Sequence, residues 1–399
     1  MKSKYLAVAL SAVALVACNN EDVLEVNQGR GISFQVATEA STRAEATTTN
    51  TISEFNVWGF TDANETLMND VKVTGSHESG WTYNNGNDVF WPNSGTVDFY
   101  AMSPKECGGT VSITSEAQAI TNFTVNTDVT KQVDLLYALE TNQSKADHED
   151  GSKVELNFRH ALSQIVFKAK TTNSNLSVDI DGVRVAKVTT GGDFTFPTVT
   201  TSTQLTTTPG NSDTETDDSW GEWTLGSDKG FYAAGIKTTT DITPDKNVVD
   251  LTKDNGALLL MPQPITGWDI SGENGQSGAE DRGAYFLVSC KIYNVSGNDE
   301  VLLWPKKEEY REVAIPVADI TWKQGKKYVY TFIFGEGGGY VPPVDPEDPD
   351  PEKPDPDDPD PEDPGDPVLV PISFTVTVDD FQNGGEFDVV MIETGKEGE

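Results

Sequence analysis

Histidine and cysteine are nearly missing from this chain: its 399 residues include three of each. His77, His148 and His160 form no His-x-x-x-His pair and the cysteines no Cys-x-x-Cys, so the spacing of a zinc site is lacking. Positive charge is scarce too, with 28 Lys and Arg against 64 Asp and Glu and a formal net charge of −36. Such a chain cannot neutralise a run of phosphates, which excludes nucleic acid as a partner. It also offers no basic patch to an anionic membrane. Long Ala/Leu/Glu/Lys helical patterns are absent, whereas Thr, Val, Gly and Asn abound, which favours β structure.

Other chemistry is excluded by what the motifs lack. Gly335-Glu336-Gly337-Gly338-Gly339 has no Lys-Ser/Thr after it and reads as a turn, not a phosphate loop. Asp179-Ile180-Asp181-Gly182 begins like a calcium loop, but Thr190 stands where the bidentate Glu belongs. Carboxylates are so plentiful that no glycosidase pair stands out. His160 reads as a hydrogen-bonded structural residue. No catalytic, cofactor or metal residue is assigned, and no enzyme activity is expected.

The chain opens with Lys2 and Lys4, an apolar run from Tyr5 to Ala17, and Leu15-Val16-Ala17-Cys18. The run is too short to span a bilayer. Together these read as a lipoprotein signal peptide over 1–18, with Cys18 as the lipidated residue after cleavage. Acyl chains there exceed the two needed for stable anchoring, so a membrane-anchored lipoprotein is expected. Cys107 and Cys290 remain; two independent buried thiols are the preferred reading and a disulfide the alternative.

Less leader and tails, there is room for about two domains. Ile32-Ser33-Phe34-Gln35-Val36-Ala37 alternates as a first strand, and the Thr/Ala/Glu-rich stretch through Arg43 to Asn50 reads as an exposed loop. Short strands follow at regular spacing: Phe55–Phe60, Trp81–Tyr83, Val97–Met102 and Val133–Leu139. That rhythm indicates an antiparallel sandwich, not βαβ units. The stretch Val154 to Lys168 joins a half-buried strand (Val154, Leu156, Phe158) to an almost continuously apolar one (Leu162 to Phe167). It closes a first domain, 19–170.

A second domain, 171–340, begins with strands Leu176–Ile180 and Val183–Val188. It continues through a polar loop at 198–218 to strands in 257–263, 285–293, 313–317 and 328–334. Trp58, Trp91, Trp304 and Trp322 lie in or beside strands and read as core. Trp220 and Trp223, next to the polar loop, are the only pair open to reading as an exposed sugar-stacking platform. Residues 341–367 hold eleven prolines and twelve acids against Lys353, an extended acidic linker reaching roughly 80 Å. The segment 368–399 follows, with Ile372, Phe374, Val376 and Val378 alternating perfectly and a second strand at Phe387–Ile392.

Several of these stretches resemble the fimbrillin-like lipoproteins, subunits of type V pili. They include Phe158-Arg159-His160-Ala161-Leu162-Ser163, Phe90-Trp91-Pro92 followed by Val97–Ala101 and then Asp134–Ala138, and Ala257-Leu258-Leu259-Leu260-Met261-Pro262-Gln263. Trp322-Lys323-Gln324-Gly325-Lys326-Lys327-Tyr328 and the strand-then-Thr42-Arg43-Ala44 opening complete the set. The resemblance implies an all-β chain of two tandem Greek-key, transthyretin-like β-sandwich domains. It implies a pilus subunit that partners other pilin subunits and is exported as an outer-membrane lipoprotein. In similar pilins an Arg- or Lys-specific protease removes the first strand, which makes Arg43 the candidate cleavage site and Arg30 the weaker one. A neighbour's tail then refills the groove, with Ile372, Phe374, Val376 and Val378 the candidate donor and Phe387–Ile392 a near-equal one. The alternative is a non-polymerising anchor or tip adhesin that binds a host or glycan ligand. In similar sequences a Gly-rich turn joins the Tyr328–Phe334 strand to the Ile372–Val378 strand, where this chain carries the acidic proline linker.

Overall fold

Apolar–polar alternation over short, turn-bounded runs gives strands almost everywhere. The computed structural model describes residues 26–36, 51–83, 89–201, 220–246, 248–253, 256–268, 283–335, 373–380 and 388–389. Among them the only helical pieces are 3-10 turns at Val129–Lys131 and Lys145–His148. The chain is all-β, built from several sheets.

One six-stranded sheet takes its strands from the first 160 residues. Its order is β12 (Arg159–His160), β10 (Leu136–Gln143), β7 (Val97–Ser103), β3 (Glu54–Thr61), β4 (Thr66–Ser76) and β5 (Gly80–Tyr83). Both faces are buried where the strands are central. Val57, Phe99, Ala101, Leu136 and Ala138 face one apolar core, while Trp58, Phe60, Met102 and Tyr137 join another. The first core is capped by two small sheets: β1 (Val26–Gly31) with β6 (Phe90–Pro92), and β2 (Phe34–Val36) with β11 (Val154–Leu156).

The second core lies among the remaining sheets. One runs β19 (Val249–Asp250), β13 (Ser163–Thr171), β26 (Lys326–Phe334), β27 (Ser373–Asp380) and β28 (Asp388–Val389), with β20 (Leu258–Leu260) also on β13. Another runs β17 (Lys229–Ala233), β14 (Leu176–Thr189), β22 (Tyr285–Ser296) and β23 (Asp299–Trp304). β18 (Thr239–Ile242) joins it on β14 and β24 (Arg311–Pro316) on β22. Phe167, Phe286, Tyr330 and Phe332 fill the space between them with mutual ring contacts. A four-stranded sheet, β16 (Glu222–Leu225), β15 (Gly191–Thr195), β9 (Gln118–Thr124) and β8 (Thr110–Ile113), joins strands from both halves of the sequence. The pair β21 (Pro264–Ile265) and β25 (Ile320–Thr321) completes the described strands.

Partners change within the stretch 154–171. β11 pairs with β2, β12 with β10, and β13 lies parallel to β26 from Gln164↔Lys327 to Thr171↔Phe334. Hydrogen bonding therefore passes to the C-terminal strands just after Ala161-Leu162. Two strand expectations shift. Leu176–Ile180 and Val183–Val188 are one strand, β14, with a bulge between Ile180 and Gly182. Because the bulge absorbs the irregularity, Asp179-Ile180-Asp181-Gly182 lies inside a strand, not in a loop. β10 starts at Leu136, since Leu135 instead accepts the Ala161 amide outside the ladder.

Candidate assembly groove

The strand expected to come first, β2, is preceded in the structure by β1, and it is seated by its own alternation. Ile32, Phe34 and Val36 are 2, 1 and 5 % exposed, while Gln35 faces solvent. The Phe34 ring stands edge-on to Phe99 at 5.4 Å and tilted to Tyr83 at 6.0 Å. Trp91 closes the same side, edge-on to Phe99 and stacked on His148 at 4.8 Å. Three such side chains leaving water contribute on the order of 5–9 kcal/mol, an upper bound against an extended chain.

Backbone pairing to this strand is brief. β2 runs parallel to β11 over three positions, Phe34↔Val154, Gln35↔Glu155 and Val36↔Leu156. The Val154 amide donates to the Ser33 carbonyl at 2.8 Å, and the Ile32 amide to the Val89 carbonyl at 2.7 Å. The Tyr83 hydroxyl donates to the Ile32 carbonyl at 2.6 Å and accepts from the Val89 amide at 3.2 Å. Side-chain burial therefore holds the strand more than pairing does. Beside it, on β10, burial and then the Glu155 carboxylate push Glu140 up to about 7. The Gln143 side-chain amide donates to Glu140 at 2.9 Å.

Outside the groove, sequence motifs far apart in the chain meet. The Ser163 hydroxyl donates to the Lys323 carbonyl at 2.8 Å, and the Gly325 amide to the Leu162 carbonyl at 2.9 Å. His160 Nδ1 lies 2.8 Å from Asp134 Oδ1, both side chains buried, as befits a structural histidine. Gln263 exchanges backbone hydrogen bonds with Trp322, and its side chain accepts from the Thr189 amide at 2.7 Å. Tyr137, Gln324 and Gly221 close a small ring: the Tyr137 hydroxyl donates to Gln324 and accepts from Gly221, whose carbonyl takes the Gln324 amide.

Trp220 and Trp223 belong to this junction and form no sugar platform. The Arg159 guanidinium lies 4.3 Å over the Trp220 ring, and Trp223 Nε1 donates to the Ala161 carbonyl at 2.7 Å. Both rings are half-buried against the second core. Trp58, Trp91, Trp304 and Trp322 are core, as their strand positions indicated. Cys107 and Cys290 are separate buried thiols, and burial pushes the Cys107 thiol up. Among the described residues no group of His, Cys, Asp and Glu could hold a metal ion.

Cys18, Arg43 and Ile372 lie outside the described residues. Phe374, Val376 and Val378 lie on β27, which pairs with β26 of its own chain at Phe332, Tyr330 and Tyr328. Of the second candidate donor, Asp388–Val389 is described, paired with β27. The fastening roles of Tyr83, Gln263 and Gln324 leave no mark in the sequence. Each is one polar side chain whose partner is distant in the chain.

An apolar groove holds β2, and structural hydrogen bonds tie the sheets together. The family comparison places the chain: a model of the fimbrillin-like family matches residues 42–345, so the chain belongs to that family. Membership gives it a structural or adhesive role of the pilus type, at the cell surface, and not an enzymatic one. The solved structure of a fimbrial protein from Bacteroides vulgatus shares the fold at TM-score 0.51 and 17 % identity, covering 76 % of this chain and 95 % of that one. A fimbrial assembly protein from Parabacteroides distasonis matches at TM-score 0.37 and 8 % identity, over 90 % of this chain and 98 % of that one. No curated protein matches.

Proposed function

We propose that this chain is a structural subunit of a type V-like pilus, exported as an outer-membrane lipoprotein through Cys18 and assembled by donor-strand exchange after removal of its first strand. It would comprise two tandem sandwich domains that partner other pilin subunits. The supporting observation is the seat of β2: three buried apolar side chains held by only three paired positions. Losing them would leave an apolar groove and unpaired backbone, costly unless another strand refills it. A neighbour's strand can supply both pairing and alternate side chains. Arg43 follows β1 and β2 in sequence and precedes β3, so a cut there would free both strands and spare the six-stranded sheet.

The test is the mature N-terminus of protein recovered from surface fibres, read by mass spectrometry alongside gels of unboiled outer membrane. A start at Ala44 with a boiling-sensitive ladder is expected. A start at Cys18 within such a ladder would overturn the cleavage step. A single band would overturn polymerisation.

One observation favours the second reading, a non-polymerising anchor or tip adhesin binding a host or glycan ligand. β27, the cleaner candidate donor, is already paired along its own β26. For that reading, the single band is the expected result.

A further inference from the structure

We infer that β2 and β11 together form a pH-responsive lid on the apolar groove, seated over a protonated Glu140 and lifting when that side chain ionises. The inference concerns the intact chain. It needs no cut at Arg43, no neighbouring subunit and no lipid, so it stands apart from the assembly proposed above.

Strand alternation sets the position of Glu140. On β10 it continues the row of Leu136 and Ala138, which share a core with Phe34 and Val36 of β2 and Val154 and Leu156 of β11. Register places it opposite Phe99 of β7. The Phe99 ring meets Phe34 at 5.4 Å and Trp91 at 5.9 Å. An acid therefore stands half-buried where the row calls for an apolar side chain.

A chain of contacts holds it there. The Gln143 amide donates to Glu140 at 2.9 Å, and Gln143 Oε1 lies 2.9 Å from His148 Nε2. His148 Nδ1 lies 3.1 Å from the Ser152 carbonyl oxygen, and the buried His148 ring stacks on Trp91 at 4.8 Å. Turning Glu140 out to water would break its link to this chain.

The elements around it supply no compensating cation. β7 presents Phe99, while its Asp98 accepts the Asn142 amide. Beyond β10, Thr200 and Thr201 are neutral and accept the Thr141 and Leu139 amides. The turn at Lys145–His148 reaches Glu140 through His148 and Gln143. Among the described residues, the charged group that acts on it is Glu155 of β11, of like sign. Burial first, and Glu155 second, keep the proton on Glu140 up to about 7.

Once ionised, the carboxylate must regain water, and the weakest cover yields. β10 is paired to β7 without interruption from Leu136 to Glu140, whereas β2 and β11 pair only with each other, over three positions. Ile32 remains fastened through Tyr83 and Val89, so β2 has a hinge at its entry. Because the seated carboxyl holds its proton to higher pH than the hydrated one, closure is favoured in acid. It weakens as pH rises to about 7 and changes little above. Between pH 6 and pH 8, a carboxyl passing from about 7 under the lid to 4.5 in water raises opening at most about tenfold.

Native-state hydrogen exchange of the full-length chain, carrying Cys18→Ala so that no lipid intervenes, tests this. Peptides covering 32–36 and 153–157 should exchange at least about tenfold faster than 163–171 in β13, because they open without global unfolding. After correction for intrinsic rates, their protection should fall about three- to tenfold from pH 6 to pH 8. Glu140→Gln, which keeps a partner for Gln143 and cannot ionise, should abolish that fall. Protection of 32–36 equal to that of 163–171 would overturn the lid, since the strand would then open only with the whole molecule. So would protection unchanged by pH, or a fall that survives in Glu140→Gln, as titration of His148 would give.

Discussion

The Tyr83 hydroxyl donates to the carbonyl of Ile32 at 2.6 Å, across 51 residues, and ties the first strand to the far edge of the sheet that forms its floor. The same oxygen accepts the Val89 amide, so one phenol fastens both sides of the strand's entry.

Tyr83→Phe removes that fastening and keeps the ring against Phe34. A loss of about 1–2 kcal/mol is expected in urea unfolding, since a half-buried carbonyl and amide lose their partner. Proteolysis of the native chain near residue 32 should quicken in parallel. Unchanged stability and cleavage would show that the hydroxyl holds nothing.

Phe34→Ala empties the centre of the groove. The ring is fully buried against Phe99 and Tyr83, so about 3–5 kcal/mol is expected from lost transfer and the cavity left behind. Gln35→Ala, on the exposed face of the same strand, should stay within about 0.5 kcal/mol. Equal effects at the two positions would contradict the observed face.

Gly325→Ala tests the junction. Gly325 has φ +70, and a Cβ there would stand 3.0 Å from the Trp220 ring. Gly297, with φ +67, has open space around it and controls for backbone strain alone. Gly297→Ala should cost about 1 kcal/mol, and Gly325→Ala measurably more in calorimetry, because the ring over Arg159 must also shift.

Glu140 should make stability depend on pH. Burial raises it from 4.5 to about 7, so between these values the folded state keeps a proton that the unfolded state releases. Stability is therefore greater at the acid end and falls as pH rises through the window, flattening above 7. Solvent screening of this partly exposed group moderates the size. Relative to Glu140→Gln, the wild-type Tm should decline from pH 5 to pH 7.5. A constant difference between the two would refute the assignment.

Sequence alone determined the strand content, because period-two alternation in short turn-bounded runs has no other stable outcome in water. It placed the buried row Ile32, Phe34 and Val36 and four of the core tryptophans, and it marked His160 as structural. Each of these depends on local burial, which a side chain's immediate neighbours encode. The tertiary structure decided where β13 pairs, what Trp220 and Trp223 touch, and which edge β27 occupies. Strand partners at separations such as Gln164 to Lys327 depend on which edges remain unpaired once the sheets have formed. Apolar periodicity reports that a face is buried, but not against what. Alternation therefore reads the same whether a strand is covered by its own sheet, a neighbouring sheet or another copy of the chain.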